Sequence, residues 1–223
     1  MLNGNITELK DLIMEIEAKQ VFGGETFTDT DAKVLTYLRD LNSLYEVISP
    51  SNKDGKVACI FDCVPSNMPK KYGFAYKNEA YFSLETAFIC EFLHDNIKEL
   101  WVDMSQGIAI AAANAVIRMK NSGFNIKLNL AIPYRGHSDQ IYGASKTMYE
   151  LIKSKADVIT QVSNLPKNKE SFKNGLTYII DKSSIAYYYN TPAINNTFFL
   201  KYCKDKNVDV VSFDLENLKR ISK

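Results

Sequence analysis

The sequence is poor in the residues from which metal centres are built. Its 223 residues include only two histidines, His94 and His137, and four cysteines, and no two cysteines form a C-x-x-C pair. Structural zinc sites draw their ligands from such pairs, so we expect no metal and no cofactor. Cys59 and Cys63 lie in an apolar run and are predicted to be reduced, buried thiols.

An excess of charge of either sign is also lacking. The 27 basic residues nearly balance the 26 acidic ones, and the formal net charge is +1. Such a balance gives no long-range attraction to nucleic acid or to an anionic membrane surface. Nucleic acid is therefore disfavoured as a partner, and a small molecule or another protein is expected instead.

Long hydrophobic runs are absent as well. No stretch approaches the ~20 apolar residues that a membrane-spanning helix needs. The first residues include Asn3, Asn5 and Glu8 where a signal peptide would have an apolar segment. We therefore expect a cytoplasmic protein without a membrane partner. The hydrophobic content of 46% is enough for one well-packed domain and an appendage.

The first fifty residues have the pattern of two amphipathic helices. Apolar residues recur at helical spacing in two stripes: Ile6, Leu9, Leu12, Ile13 and Ile16, then Val34, Leu35, Leu38, Leu41 and Tyr45. This predicts a helical hairpin, which a polar linker ends at Gly55. We therefore divide the chain into residues 1–55 and 56–223. The hairpin either covers a sheet edge or forms a dimerisation arm, and we expect a homo-oligomer, most simply a dimer.

From Lys56 onward, apolar strands alternate with helical stretches. The predicted strands are 57–63, 98–104, 126–133, 156–163, 184–190 and 208–214. The predicted helices lie near 79–95, 107–121, 139–154, 168–180 and 195–206. This alternation is typical of an α/β, Rossmann-like fold, in which a parallel sheet has helices on both faces. Ligands of such sheets bind beyond the carboxyl ends of the strands.

The turn after the second predicted strand is a candidate anion site. Ser105, Gln106 and Gly107 separate that strand from a run of small apolar residues that only a buried helix would use. Glycine lets the backbone approach a ligand closely, and the N–H groups at a helix N-terminus attract anions. The alternative is that Gly107 serves only the packing of the helix on the sheet.

Three other strand ends carry side chains that could bind a ligand. Tyr134, Arg135 and His137 follow the third strand, and arginine offers a fork of donors for phosphate or carboxylate. The alternative is an exposed loop with a solvated arginine. The fourth and fifth strands end in polar residues suited to hydroxyl or base contacts: Ser163, Asn164 and Asn190.

These motifs, in this order, resemble the SLOG superfamily, a Rossmann-like nucleotide-sensing fold, and most of all its YpsA-like (DUF1273) branch. The resemblance covers residues 57–214. It rests on four segments: Asp103–Gly107 followed by IAIAAANAVIRMK, Ile132–His137, Tyr149–Ile159, and the stretch from Lys173-Asn174 to Asp181. It implies a nucleotide-binding domain, and it adds Lys173, Asn174 and Asp103 to the expected ligand contacts.

The chain departs from the family pattern at three places. Asp103 occupies the position of the first turn glycine, where a carboxylate would repel phosphate but could meet a ribose hydroxyl. The segment TPAINNT after the fifth strand replaces a glycine-threonine turn. The P-G-G-x-G-T-x-x-E signature of phosphoribohydrolase relatives is missing, so their hydrolase chemistry is not implied.

The sequence thus supports several functions. The leading interpretation is sensing or sequestration of a nucleotide or an NAD-derived molecule. The alternative is an enzyme that cleaves an N-glycosidic bond with Asp62 or Asp103, since a carboxylate near the ribose carbon could act as nucleophile or stabilise an oxocarbenium ion. Hydrogen bonding of these aspartates to loop backbone is the simpler role. A DNA-processing adaptor is a third class, which the near-neutral charge disfavours.

Overall fold

The chain divides into two compact units, Met1–Asp54 and Gly55–Lys223. The computed structural model describes residues 13, 16, 28, 32–36, 39, 55–61, 68–72, 78–189 and 197–221. In the first unit, residues 32–36 are helical, and Ile13 and Leu35 are buried in a small apolar cluster. Most of the predicted hairpin lies outside the described residues and stays a prediction.

The described residues of the second unit form a seven-stranded sheet. Its strands are β1 Lys56–Phe61, β2 Ile97–Val102, β3 Lys127–Ile132, β4 Val158–Gln161, β5 Ile185–Tyr189, β6 Asp209–Asp214 and β7 Lys219–Arg220. The strand order is β4-β3-β2-β1-β5-β6-β7, with β1 to β6 parallel and β7 antiparallel to β6. Each parallel strand overlaps a predicted one, so the Rossmann-like α/β fold is confirmed.

Five α-helices of the second unit are described. They are α1 Glu79–His94, α2 Ile108–Asn121, α3 Gly143–Lys155, α4 Lys169–Asp181 and α5 Thr197–Asp205. α1 packs on α2 and α2 on α3, whereas α4 packs on α5. Right-handed crossovers put these two groups on opposite faces, because the chain reverses direction across the sheet between β4 and β5. None of the described helices is long and apolar enough to span a bilayer.

Three consecutive tyrosines in β5 serve both faces of the sheet. Tyr187 and Tyr189 point towards α1, where their rings meet Phe92 and Phe88 at centroid distances of 5.5 Å each. Tyr188 points the other way and lies 5.6 Å from Phe61. The alternation follows from the two-residue period of a strand. All three rings are buried.

A carboxylate network joins α1 to the last strand. Arg220 of β7 forms ion pairs with Glu91 and Asp95, and the Tyr187 hydroxyl donates to Asp95 Oδ2 over 2.6 Å. Burial opposes ionisation of Asp95, but the hydrogen bonds from Tyr187, Arg220 and His94 hold its pKa below the ordinary value. The antiparallel strand is thereby fixed to the first helix of the domain.

A second carboxylate joins α1 to α2. Glu85 is 3% exposed, and its oxygens accept from Asn114 Nδ2 at 3.1 Å and Arg118 Nη1 at 3.2 Å. Burial raises the pKa of Glu85, although both partners act in the opposite direction. The rest of the contact between these helices is apolar, since ten residues of α2 are buried. The alanines of α2 let the two helices and the sheet come close.

Candidate functional site

The carboxyl ends of β2, β3 and β4 lie side by side at one edge of the sheet. Neighbouring strands are roughly 4.8 Å apart, so the turns that follow them, residues 103–107, 133–137 and 162–165, are close neighbours. β1 and β5 end at the same edge. The candidates that follow them, Asp62 and Asn190, lie outside the described residues and stay predictions.

Asp103 organises the turn after β2. Its side chain is buried, and Oδ1 accepts from the Ser105 N–H at 3.0 Å and from the Ser105 hydroxyl at 2.6 Å. Met104, between them, adopts a left-handed backbone conformation with φ of 59°. The simpler role considered for Asp103, hydrogen bonding to its own loop, is therefore the one observed. The Ser105 N–H, expected to bind a ligand, is already engaged.

Gly107 begins α2 in a conformation that only glycine adopts readily, with φ 101° and ψ −128°. Its carbonyl accepts a hydrogen bond from the Tyr81 hydroxyl of α1 at 2.7 Å, which holds the turn before α2 against α1. Among the described residues, no side chain caps α2 or α3, whereas Asn78 caps α1 and Asn168 caps α4. An uncapped helix start leaves backbone N–H groups available to an anion.

Arg135 is exposed in the loop after β3. Its N–H donates to the carbonyl of Leu165 over 3.3 Å, so the loops after β3 and β4 are joined there. Gly136 follows in a left-handed conformation with φ of 74° and turns the chain into a short 3-10 helix at His137–Gln140. The backbone of Arg135 is thus held in place while its guanidinium group stays accessible at the strand-end edge.

Tyr134 and His137 are buried, at 3% and 7% exposure. The Tyr134 ring lies 4.9 Å from that of His137 and 5.2 Å from that of Phe172 in α4. His137 Nδ1 is 3.3 Å from the Tyr149 hydroxyl of α3. Burial, with a smaller contribution from Lys167, lowers the pKa of His137 to about 4. These two candidates pack α3 and α4 against the loop and stay untested as ligand contacts.

The polar residues after β4 make local hydrogen bonds. The Ser163 hydroxyl accepts from the Leu165 N–H at 3.1 Å, and Asn164 Oδ1 accepts from Gln161 Nε2 at 2.7 Å. Asn164 is exposed and Ser163 is half-buried. The amide NH₂ of Asn164 and the hydroxyl hydrogen of Ser163 are therefore the donors that these residues can offer to a ligand.

Lys173 and Asn174 lie on α4, one turn beyond its start. The Lys173 ammonium is 4.4 Å from the centroid of the Phe198 ring in α5. The Asn174 carbonyl accepts from the Thr177 hydroxyl at 3.2 Å. The structure therefore directs Lys173 towards α5, whereas Arg135, Ser163 and Asn164 belong to the joined loops after β3 and β4.

One aromatic side chain at this edge was missed by sequence reasoning. Tyr142, at the N-cap position of α3, is 77% exposed. Its helix is tied to the β3 loop by Lys146, whose ammonium donates to the Ser138 carbonyl at 2.8 Å. A single tyrosine between Ile141 and Gly143 carries no sequence signal for this exposure. Among the described residues, no three His, Cys, Asp or Glu side chains could hold a metal ion.

Comparison with known proteins identifies the family. The sequence model of YpsA, described as the YspA SLOG family, matches residues 82–215, which is more than half of the chain. A UPF0398 protein of Macrococcus caseolyticus (strain JCSC5402) is 24% identical over 133 residues, which is 56% of this chain and 72% of the relative. The match begins within α1, later than the resemblance drawn from residue 57. The chain belongs to the YpsA family of SLOG proteins.

Proposed function

We propose that this protein binds a nucleotide or an NAD-derived small molecule at the carboxyl ends of β2, β3 and β4, and that it senses or sequesters this ligand. The observation that carries the proposal is the start of α2 at Gly107. It has no side-chain cap and lies at the strand-end edge that also holds Arg135. Membership of the SLOG family supports a nucleotide-related function.

The electrostatics of this edge suit a phosphate group. The N-terminus of α2 carries the positive end of the helix dipole. Arg135 adds a full positive charge and a planar fork of donors that matches phosphate oxygens. In this arrangement the helix start and the arginine contact the anion, while Ser163 and Asn164 offer donors to a sugar or base.

Binding without cleavage fits the turn after β2 better than catalysis does. A nucleophilic carboxylate needs access to the ribose carbon, whereas Asp103 is buried and accepts two hydrogen bonds from Ser105. Cleavage by Asp62 stays the alternative. Incubation with nucleotides followed by chromatography separates the two, since an enzyme releases free base and a sensor returns its ligand unchanged.

Replacement of Arg135 with alanine is expected to weaken the binding of an anionic nucleotide by about 2 kcal/mol, the size of a hydrogen bond to a charged group. Titration calorimetry with ADP-ribose and AMP, after mass spectrometry of the ligands that co-purify, measures the effect. Lys182→Ala is the matched control, because Lys182 ends α4 at the opposite edge of the sheet. Equal affinities of wild type and Arg135→Ala would refute the strand-end site.

We further propose that the protein assembles into homodimers in the cytoplasm. The free cysteines Cys59, Cys90 and Cys203 fit a reducing compartment. β4 is an edge strand, and its Val158 and Ile159 are 43% and 48% exposed. Unprotected apolar edges favour pairing with another chain. Light scattering of the full chain at micromolar concentration is expected to give twice the chain mass, and a monomer contradicts this proposal.

A further inference from the structure

A groove between α4 and α5 lies outside the strand-end site. It encloses a cavity of about 440 Å³, within the usual size range of small-molecule pockets. Its lining residues come from both helices: Lys169, Phe172, Lys173, Leu176, Phe198 and Phe199. Phe172 also contacts Tyr134, so this groove adjoins the loop after β3 without containing the strand-end residues.

An exposed aromatic ring forms one wall of the groove. Phe198 is 46% exposed, and its neighbour Phe199 packs inward with its ring 6.1 Å from Phe61. The two rings meet edge to face at 5.0 Å. Phe199 is therefore part of the core, whereas Phe198 offers apolar surface to whatever enters the groove.

Two lysines give the groove a positive rim. Lys173 and Lys169 extend from α4, and Lys173 holds its ammonium 4.4 Å from the centroid of Phe198. A cation over an exposed ring is held weakly, and a lysine side chain moves easily, so a ligand ring can displace it. Glu170 is the neighbouring acid on α4 and is exposed to solvent. Among the residues that the structure describes, the lining of the groove contains no acidic side chain.

We propose that this groove binds a planar aromatic group that carries a negative charge. The aromatic ring stacks on Phe198 in the place of the Lys173 ammonium, and the displaced ammonium contacts the anion. The cavity fits one or two fused rings and is too small for a helix of a partner protein. A nucleotide and an aromatic carboxylate share this chemistry. The groove does not depend on the strand-end site.

The test is titration calorimetry of the full chain with AMP and, separately, with indole-3-acetate. The variants are Phe198→Leu, which keeps apolar volume without a ring, and Lys173→Gln, which keeps length without charge. Phe198→Leu is expected to weaken binding about ten-fold, because the stacking of a base on an aromatic ring is of that size. Lys173→Gln is expected to weaken binding and reduce its salt dependence.

Lys182→Gln is the matched control, since Lys182 also lies over a ring at the end of α4, 5.5 Å from the centroid of Tyr178. It is expected to bind like the wild type. Circular dichroism of each variant verifies that the fold is intact. Binding of AMP indicates a nucleotide as the natural ligand, whereas binding of indole-3-acetate indicates an aromatic carboxylate. The proposal is overturned if neither probe binds at millimolar concentration, or if Phe198→Leu leaves the affinity unchanged. If Arg135→Ala weakens the binding and Phe198→Leu leaves it unchanged, the ligand binds at the strand-end site alone.

Discussion

Replacing Gly175 with valine is expected to lower the free energy of unfolding by about 3 kcal/mol, the upper part of the usual range for overpacking. Gly175 lies in α4 directly over Pro133, and a Cβ atom at this position would be 2.8 Å from the Pro133 Cβ and 3.3 Å from its Cα. Neither atom belongs to a flexible side chain, so α4 would have to move away from the sheet. Denaturant unfolding measures the loss.

Two further variants isolate this cause. Glu170→Val places the same side chain at an exposed position in the first turn of α4. There the weaker helix propensity of valine and the loss of the acidic charge near the helix N-terminus together cost about 1 kcal/mol. Gly175→Ala adds the clashing Cβ alone, against which alanine gains roughly 1 kcal/mol of helix propensity. We expect Gly175→Val to lower the free energy of unfolding more than Glu170→Val does. Equal stability of Gly175→Val and the wild type contradicts the close contact of α4 with Pro133.

Acidification from pH 6.5 to pH 4 is expected to remove about 3 kcal/mol of stability through His137 alone. In the unfolded chain this imidazole has the ordinary pKa of 6.5, whereas burial between Tyr134 and Tyr149 lowers the pKa to about 4 in the folded protein. The folded state therefore resists a proton that the unfolded state accepts. The stabilisation is fully present above pH 6.5. It is lost as the pH falls from there through about 4, the pKa of His137 in the folded protein.

The comparison of wild type with His137→Gln isolates this contribution. Glutamine keeps a polar group near the Tyr149 hydroxyl but does not titrate. The raised pKa of Glu85 acts in the opposite direction, and the lowered pKa of Asp95 acts below its ordinary 3.8, yet both are common to the two proteins. Denaturant unfolding at several pH values is expected to show a steeper acid loss in the wild type. Parallel curves would contradict a buried, neutral His137.

Local patterns made the six parallel strands and their helices predictable. Each strand is a short apolar run and each helix has its own period, so both are readable within a dozen residues. The strand order was not predictable, because the pairing of β1 with β5 joins distant parts of the chain. β7 was missed for another reason. It has two residues, and Arg220 binds Glu91 and Asp95 without any alternating pattern.

The candidate site was predictable to the same extent. The turn at Gly107 was predictable locally, because this glycine separates an apolar strand from an alanine-rich helix. The burial of Tyr134 and His137 depends on Phe172 and Tyr149, which come from α4 and α3. No window of sequence around residue 135 contains that information. Residue type suggested ligand contacts there, whereas tertiary packing decided that the two rings lie inside.

The position of β1 has a consequence for protein synthesis. β1 is hydrogen-bonded to β2 on one side and to β5 on the other, and the Ser184 hydroxyl that donates to the Val57 carbonyl beside β5 is 127 residues away. A ribosome needs on the order of ten seconds to add that many residues. Throughout this interval the nascent chain has an unpaired β1 edge, and Cys59 and Phe61 lack the partners from α4 and β5 that bury them. The speed of translation, rather than the equilibrium stability of the folded domain, therefore sets how long this edge of β1 stays unpaired.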